Sequence, residues 1–135
     1  MKRKVLFVCT GNSCRSQMAE GLLRALKGDR YEAMSAGTRP AAKVSEHAVE
    51  AMKEVGIDIS AQRPKPIQQF LYDDIDVVVT LCDGAKESCP ALPGAEDCAH
   101  KPVADPYTVE GPEKKKQAAY RKARDEIRAW IERKF

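Results

Sequence analysis

Apolar positions along this chain follow two alternating rhythms. The stretch "KVLFV", Lys4 to Val8, is a short unbroken apolar run, as expected of a strand buried on both faces of a parallel sheet. Beyond a Gly-Asn-Ser loop, Ala19, Leu22, Leu23 and Leu26 recur at i, i+3, i+4 and i+7, which predicts an apolar helix face beginning near Ser16. The pattern repeats with a strand around Tyr31 to Ser35, a Gly- and Pro-containing loop at "AGTRPAAK", and a helix capped by Ser45. That helix would carry Ala48, Ala51, Met52 and Val55 on one face and stop at Gly56. A short helix over Ile67 to Tyr72 leads into "DVVVTLC", whose β-branched run is the strongest strand signal in the sequence. A weaker strand is expected within "KPVADP". From about Glu113 a long helix follows, with Ala119, Ala123, Ile127, Trp130 and Ile131 facing inward.

Strands alternating with helices predict an α/β fold, a four-stranded parallel sheet with helices on both faces. With 135 residues, 43% of them hydrophobic, the chain suits one domain, 1–135, with a substantial core. Ligands of such sheets bind at the carboxyl ends of the strands. Cys9, Cys82 and Asp105 would follow the first, third and fourth strands, so the shared strand direction puts all three on one rim.

Charge and cysteine content narrow the function. Charged residues make up 32% of the chain but the net charge is only +3, and the basic stretch "EKKKQAAYRKAR" is best explained as a solvated helix face, so no nucleic-acid partner is expected. The N-terminal "MKRKVLFVC" has too short an apolar run for a signal peptide, and no segment approaches membrane-spanning length. A cytoplasmic protein, taken as a monomer, is expected. In a reducing compartment its five cysteines suit catalytic, redox or metal chemistry better than a disulfide framework.

The candidate chemistry lies in "VCTGNSCRSQ", Val8 to Gln17. A tight turn between strand and helix directs successive backbone N–H groups inward, and the helix N-terminus adds its positive dipole. Thr10, Gly11, Asn12, Ser13, Cys14, Arg15 and Ser16 would thus form an oxyanion site, with Gly11 and Asn12 tolerating positive φ. Arg15 would grip a tetrahedral anion with two donors. The same positive field favours thiolate at Cys9, which becomes the candidate nucleophile. Two rivals, a buried core cysteine beside a surface arginine and a nucleotide-binding loop, are disfavoured, the latter because no Lys follows the glycine as that loop requires.

The segment "CTGNSCRS" resembles the C-x5-R-S signature of the low-molecular-weight protein tyrosine phosphatase superfamily, which includes the thioredoxin-coupled arsenate reductases. The resemblance covers nearly the whole chain. It implies that Cys9 is the nucleophile, Arg15 the oxyanion clamp and Ser16 a hydroxyl supporting the thiolate. It also matches Asp105 and Pro106 to the family's late Asp-Pro pair, making Asp105 the general acid that protonates the departing oxygen.

Cys82 and Cys89 have no role in a hydrolase. The segment "VVVTLCDGAKESCP" is similar to the redox loop of the arsenate reductases, which implies a relay: Cys9 attacks arsenate, Cys82 attacks Cys9, and Cys89 attacks Cys82. Thioredoxin or another thiol carrier would then reduce the resulting disulfide, with no tightly bound cofactor. The resemblance also gives Cys14 a possible protective role. A zinc site of Cys82, Cys89, Cys98 and His100 is disfavoured because no pair has short Cys-x2-4-Cys spacing. Some relatives bind potassium through residues matching Asn12, Glu20 and Ser35; here Lys65 stands where an acidic partner is expected, and no bound metal is predicted. Two departures keep phosphoester hydrolysis through a Cys9 phosphocysteine as the alternative. The chain reads "HKPVA" where the better-known reductases have "HWGF", and Tyr107 after Asp-Pro is similar to the tyrosine phosphatases.

Overall fold

The computed structural model describes residues 2–81, 95 and 97–135. Its elements are β1 (Arg3–Cys9), α1 (Arg15–Lys27), β2 (Tyr31–Gly37), α2 (Glu46–Lys53), a 3-10 helix (Ile67–Phe70), β3 (Val77–Thr80), β4 (Asp97–His100), a 3-10 turn (Pro106–Thr108) and α3 (Glu113–Lys134). The strands form one four-stranded sheet in the order β2-β1-β3-β4, with every pairing parallel.

Strand position explains the strand sequences. β1 and β3 are interior, flanked by hydrogen-bonded neighbours, and they hold the apolar runs; β2 and β4 are edges and are more polar. Val5, Phe7 and Cys9 of β1 pack with residues of α1, α2 and α3, while Leu6 and Val8 pack on the opposite face with Ile67, Phe70 and Ile75. The expected helices on both faces are therefore present among the described residues, as three α-helices on one side and the 3-10 helix on the other. That second helix ends at Phe70, short of the expected Tyr72.

Several expectations need correction. The fourth strand is Asp97–His100 and not part of "KPVADP"; as a four-residue edge with exposed Asp97 and Cys98 it has no apolar run to announce it. In α3 the inward set is Tyr120, Ala123, Arg124, Ile127 and Ile131, while Ala119 and Trp130 are only half-buried. Buried Arg124 escaped a hydrophobicity pattern because its charge is satisfied locally, by the Ala51 carbonyl at 2.7 Å, Glu54 at 3.0 Å and Asp125 at 2.8 Å. Ser45 precedes α2 but makes no side-chain cap; its hydroxyl donates to Tyr120 Oη at 3.3 Å. Among the described residues no helix is long and apolar enough to cross a membrane.

Candidate active site

β1 delivers Cys9 to the carboxyl edge of the sheet, and the chain turns through residues 10–14 into α1. Asn12 makes the turn possible: its φ is 50° and it is fully buried. Its side chain answers for that cost, with Nδ2 donating to Ser16 Oγ at 2.7 Å and Oδ1 accepting from Lys65 N at 2.9 Å. Gly11, expected to share the left-handed conformation, does not adopt it, and a Cβ there would make only an ordinary contact, 3.5 Å from Ser13 Oγ. The glycine this turn requires is Gly37 at the end of β2, where a Cβ would lie 2.7 Å from the Thr10 carbonyl oxygen. The hydropathy pattern marks Gly37 only as the end of a strand.

Cys9 is 2% exposed and its Sγ lies 2.9 Å from Ser16 Oγ. Because Asn12 already donates to that hydroxyl oxygen, the Ser16 proton is free to point at sulfur. No side chain caps the N-terminus of α1, so its first amides face the loop. Arg15, in the first helical turn, sends Nη1 to the Val103 carbonyl at 3.0 Å and Nη2 to within 3.4 Å of Asp105 Oδ2.

Asp105 lies beyond β4, not at its end. It reaches the rim because Lys101 N bonds Thr80 O at 2.9 Å and Val103 N bonds Leu81 O at 3.0 Å, which carries the chain on alongside β3. Its Oδ1 accepts from Tyr107 N at 3.0 Å, which fixes the carboxyl towards Arg15. Cys14 Sγ stands 3.9 Å from the same oxygen. Burial, with the negative charge of Cys9 and Asp105 nearby, pushes the Cys14 thiol up to about 12, so Cys14 is a neutral thiol at physiological pH.

A cleft of ≈ 750 Å³ opens over these groups, floored by Cys9, Cys14 and Arg15 and walled by residues 41–47 on one side and Asp105 and Tyr107 on the other. His47 of α2, expected from sequence only as a helix-surface residue, lines this wall, stacked on Tyr120 at 5.1 Å and 2.6 Å from Glu113 Oε2. The structure therefore brings Cys9, Thr10, Gly11, Ser13, Cys14, Arg15 and Asp105 together around one cleft, with Asn12 and Ser16 directly beneath. Cys82 and Cys89 lie outside the described residues.

Behind the loop, buried Glu20 accepts from Ser35 Oγ at 2.6 Å and Arg24 at 2.7 Å, and Lys65 Nζ stands 3.6 Å from Oε1. These residues do not fit a potassium ion. Two protein cations and a hydroxyl already serve both oxygens of the one buried carboxylate.

The parallel sheet, with a cysteine and an arginine joined by a tight strand-to-helix loop at its carboxyl edge, places the chain in the class of phosphatase-like α/β proteins. The chain belongs to the low molecular weight phosphotyrosine protein phosphatase family, whose model matches residues 4–133. It is 48% identical over 126 residues, 93% of this chain and 90% of the relative, to an arsenate reductase of Halalkalibacterium halodurans. Among solved structures it is similar to an arsenate reductase in the phosphate binding state, with TM-score 0.78 and 35% identity over 97% of this chain and 95% of the other. It is also similar to the low molecular weight protein tyrosine phosphatase from T. tengcongensis, with TM-score 0.79 and 31% identity over 97% of this chain and 96% of that one.

Proposed function

We propose that this chain is an arsenate reductase in which Cys9, Cys82 and Cys89 act in turn and a thioredoxin-type dithiol restores them. The observation that carries the reading is Cys9 Sγ, 2.9 Å from the Ser16 hydroxyl, at the foot of a cleft shared with Arg15 and Asp105. The relative at 48% identity supports arsenate as the oxyanion.

An arsenate bound over Cys9 takes the Arg15 guanidinium as its clamp, replacing part of the Arg15–Asp105 contact, and has the Asp105 carboxyl beside one of its hydroxyls. The Cys9 thiolate attacks arsenic, and Asp105, protonated from solvent before the attack, passes its proton to an arsenate hydroxyl, which departs as water. Cys82 thiolate then attacks Cys9 sulfur. The electron pair of the breaking S–As bond stays on arsenic, which leaves as arsenite, and a Cys9–Cys82 disulfide forms. Cys89 attacks Cys82 and releases Cys9, moving the disulfide to Cys82–Cys89, from which an external dithiol removes it in two electrons.

A single turnover tests this reading. Fully reduced protein is mixed with arsenate and no reductant, and its disulfides are mapped by peptide mass spectrometry. A Cys82–Cys89 disulfide formed with one equivalent of arsenite is expected; thiols that all remain free would overturn the relay.

The second reading, phosphoester hydrolysis, is favoured by Tyr107, which stands 77% exposed on the cleft rim where it can meet an aryl group. Cys82→Ser separates the two, since it stops arsenate turnover but leaves phosphatase rate unchanged.

A further inference from the structure

The oxyanion loop has a complete carbonyl account. Thr38 N donates to Cys9 O at 3.3 Å, Arg39 N to Thr10 O at 2.9 Å, Ala41 N to Gly11 O at 2.8 Å and Ser45 N to Ser13 O at 2.8 Å. The other two carbonyls of the turn are served by Gln17 Nε2 on Asn12 O at 3.0 Å and Met18 N on Cys14 O at 2.8 Å. Four of these six donors come from one segment, residues 38–45, which also begins the cleft wall.

This matters because the peptide group is planar and trans, and no cis bond occurs among the described residues. In a trans peptide the N–H of a residue points opposite to the carbonyl before it. Pinning the carbonyls of Cys9, Thr10, Gly11 and Ser13 therefore fixes the N–H directions of Thr10, Gly11, Asn12 and Cys14. Without those bonds each peptide unit could turn over and present an oxygen, which would repel an anion.

The segment is itself anchored at its far end. Ser45 O accepts from Val49 N of α2 at 3.0 Å, and Ser45 Oγ donates to Tyr120 Oη of α3 at 3.3 Å. Tyr120 is 2% exposed and held by its stack on His47.

We propose that residues 38–45 form a strap that holds the oxyanion loop in its anion-binding conformation, with Tyr120 as the positioning residue that secures the strap through Ser45. The inference rests on the reading of Cys9 to Ser16 as an oxyanion site. It adds a determinant of affinity in residues that supply no nucleophile, acid or clamp.

An amide-to-ester replacement at residue 41 deletes one strap donor while leaving the side chain in place. The same replacement at residue 76, whose N–H bonds Lys4 O at 3.0 Å at the opposite end of the sheet, serves as the control for loss of a backbone hydrogen bond. Binding of inorganic phosphate is measured by calorimetry, beside Tm, for the full chain, both esters and Tyr120→Phe. The ester at 41 should weaken phosphate binding roughly three- to tenfold, while the ester at 76 lowers Tm without changing affinity. Tyr120→Phe, which keeps the ring and the stack, should weaken binding in the same direction and raise KM for arsenate more than it lowers kcat. Equal phosphate affinity in the full chain, the ester at 41 and Tyr120→Phe would overturn the strap. Failure of the unmodified chain to bind phosphate would overturn the oxyanion site itself.

Discussion

Arg15 and Asp105, far apart in sequence, meet at 3.4 Å between Nη2 and Oδ2 where the floor of the cleft joins its wall. In the proposed reaction the pair sets the anion clamp and the proton donor side by side, and the short 3-10 turn Pro106–Thr108 keeps the carboxyl there through the Tyr107 N–H. Both groups line the cleft that holds Cys9.

Asp105→Asn keeps the shape of the site and removes the proton. Turnover should fall by about 10²- to 10⁴-fold, the usual contribution of a general acid, while phosphate affinity stays near that of the parent. Rapid-quench measurement of arsenite formation, set beside phosphate titration, checks both halves. An equal loss in binding would move Asp105 from acid to ligand.

Gly37→Ala tests how closely the end of β2 must approach the loop. The new methyl would sit 2.7 Å from Thr10 O and 3.0 Å from Asn12 Cβ, so backbone must shift. A loss of about 1–3 kcal/mol in urea unfolding is expected, together with weaker phosphate binding. Gly11→Ala, which meets only Ser13 Oγ at 3.5 Å, should cost far less.

Cys14 makes the fold sensitive to alkali. Its thiol is raised from an ordinary 9.0 to about 12, so between those values the unfolded chain loses this proton and the folded chain keeps it. The folded state then binds more protons, and stability is complete below about pH 9 and falls as pH rises towards 12, with a slope of up to about 1.4 kcal/mol per pH unit. Between pH 8 and pH 10.5 the urea midpoint should fall less in Cys14→Ala than in the parent. Identical slopes would show that Cys14 ionises as easily folded as unfolded.

Much of this protein was legible in its residues because the relevant physics is local. The buried strands β1 and β3 show as apolar runs since interior strands of a parallel sheet have no wet face, and α1 buries Ala19, Leu22 and Leu23 of its predicted face, with Leu26 partly buried against them. The thiol, the turn and the arginine are contiguous, so "CTGNSCRS" carries Cys9, Asn12, Arg15 and Ser16 in one reading. Edge strand β4 was misplaced because an exposed four-residue strand is defined by its partner Val77–Thr80 and not by its own composition. The role of Gly37, the Ser45 hydroxyl turned from capping to Tyr120, and the buried Arg124 depend on neighbours distant in sequence. The sequence by itself determined the contiguous loop that joins Cys9 to Arg15. Only the tertiary structure decided how the loop holding them is kept in shape, because its outward carbonyls are satisfied by residues 38–45 and its acid arrives from beyond the last strand, contacts that exist only once the sheet has formed.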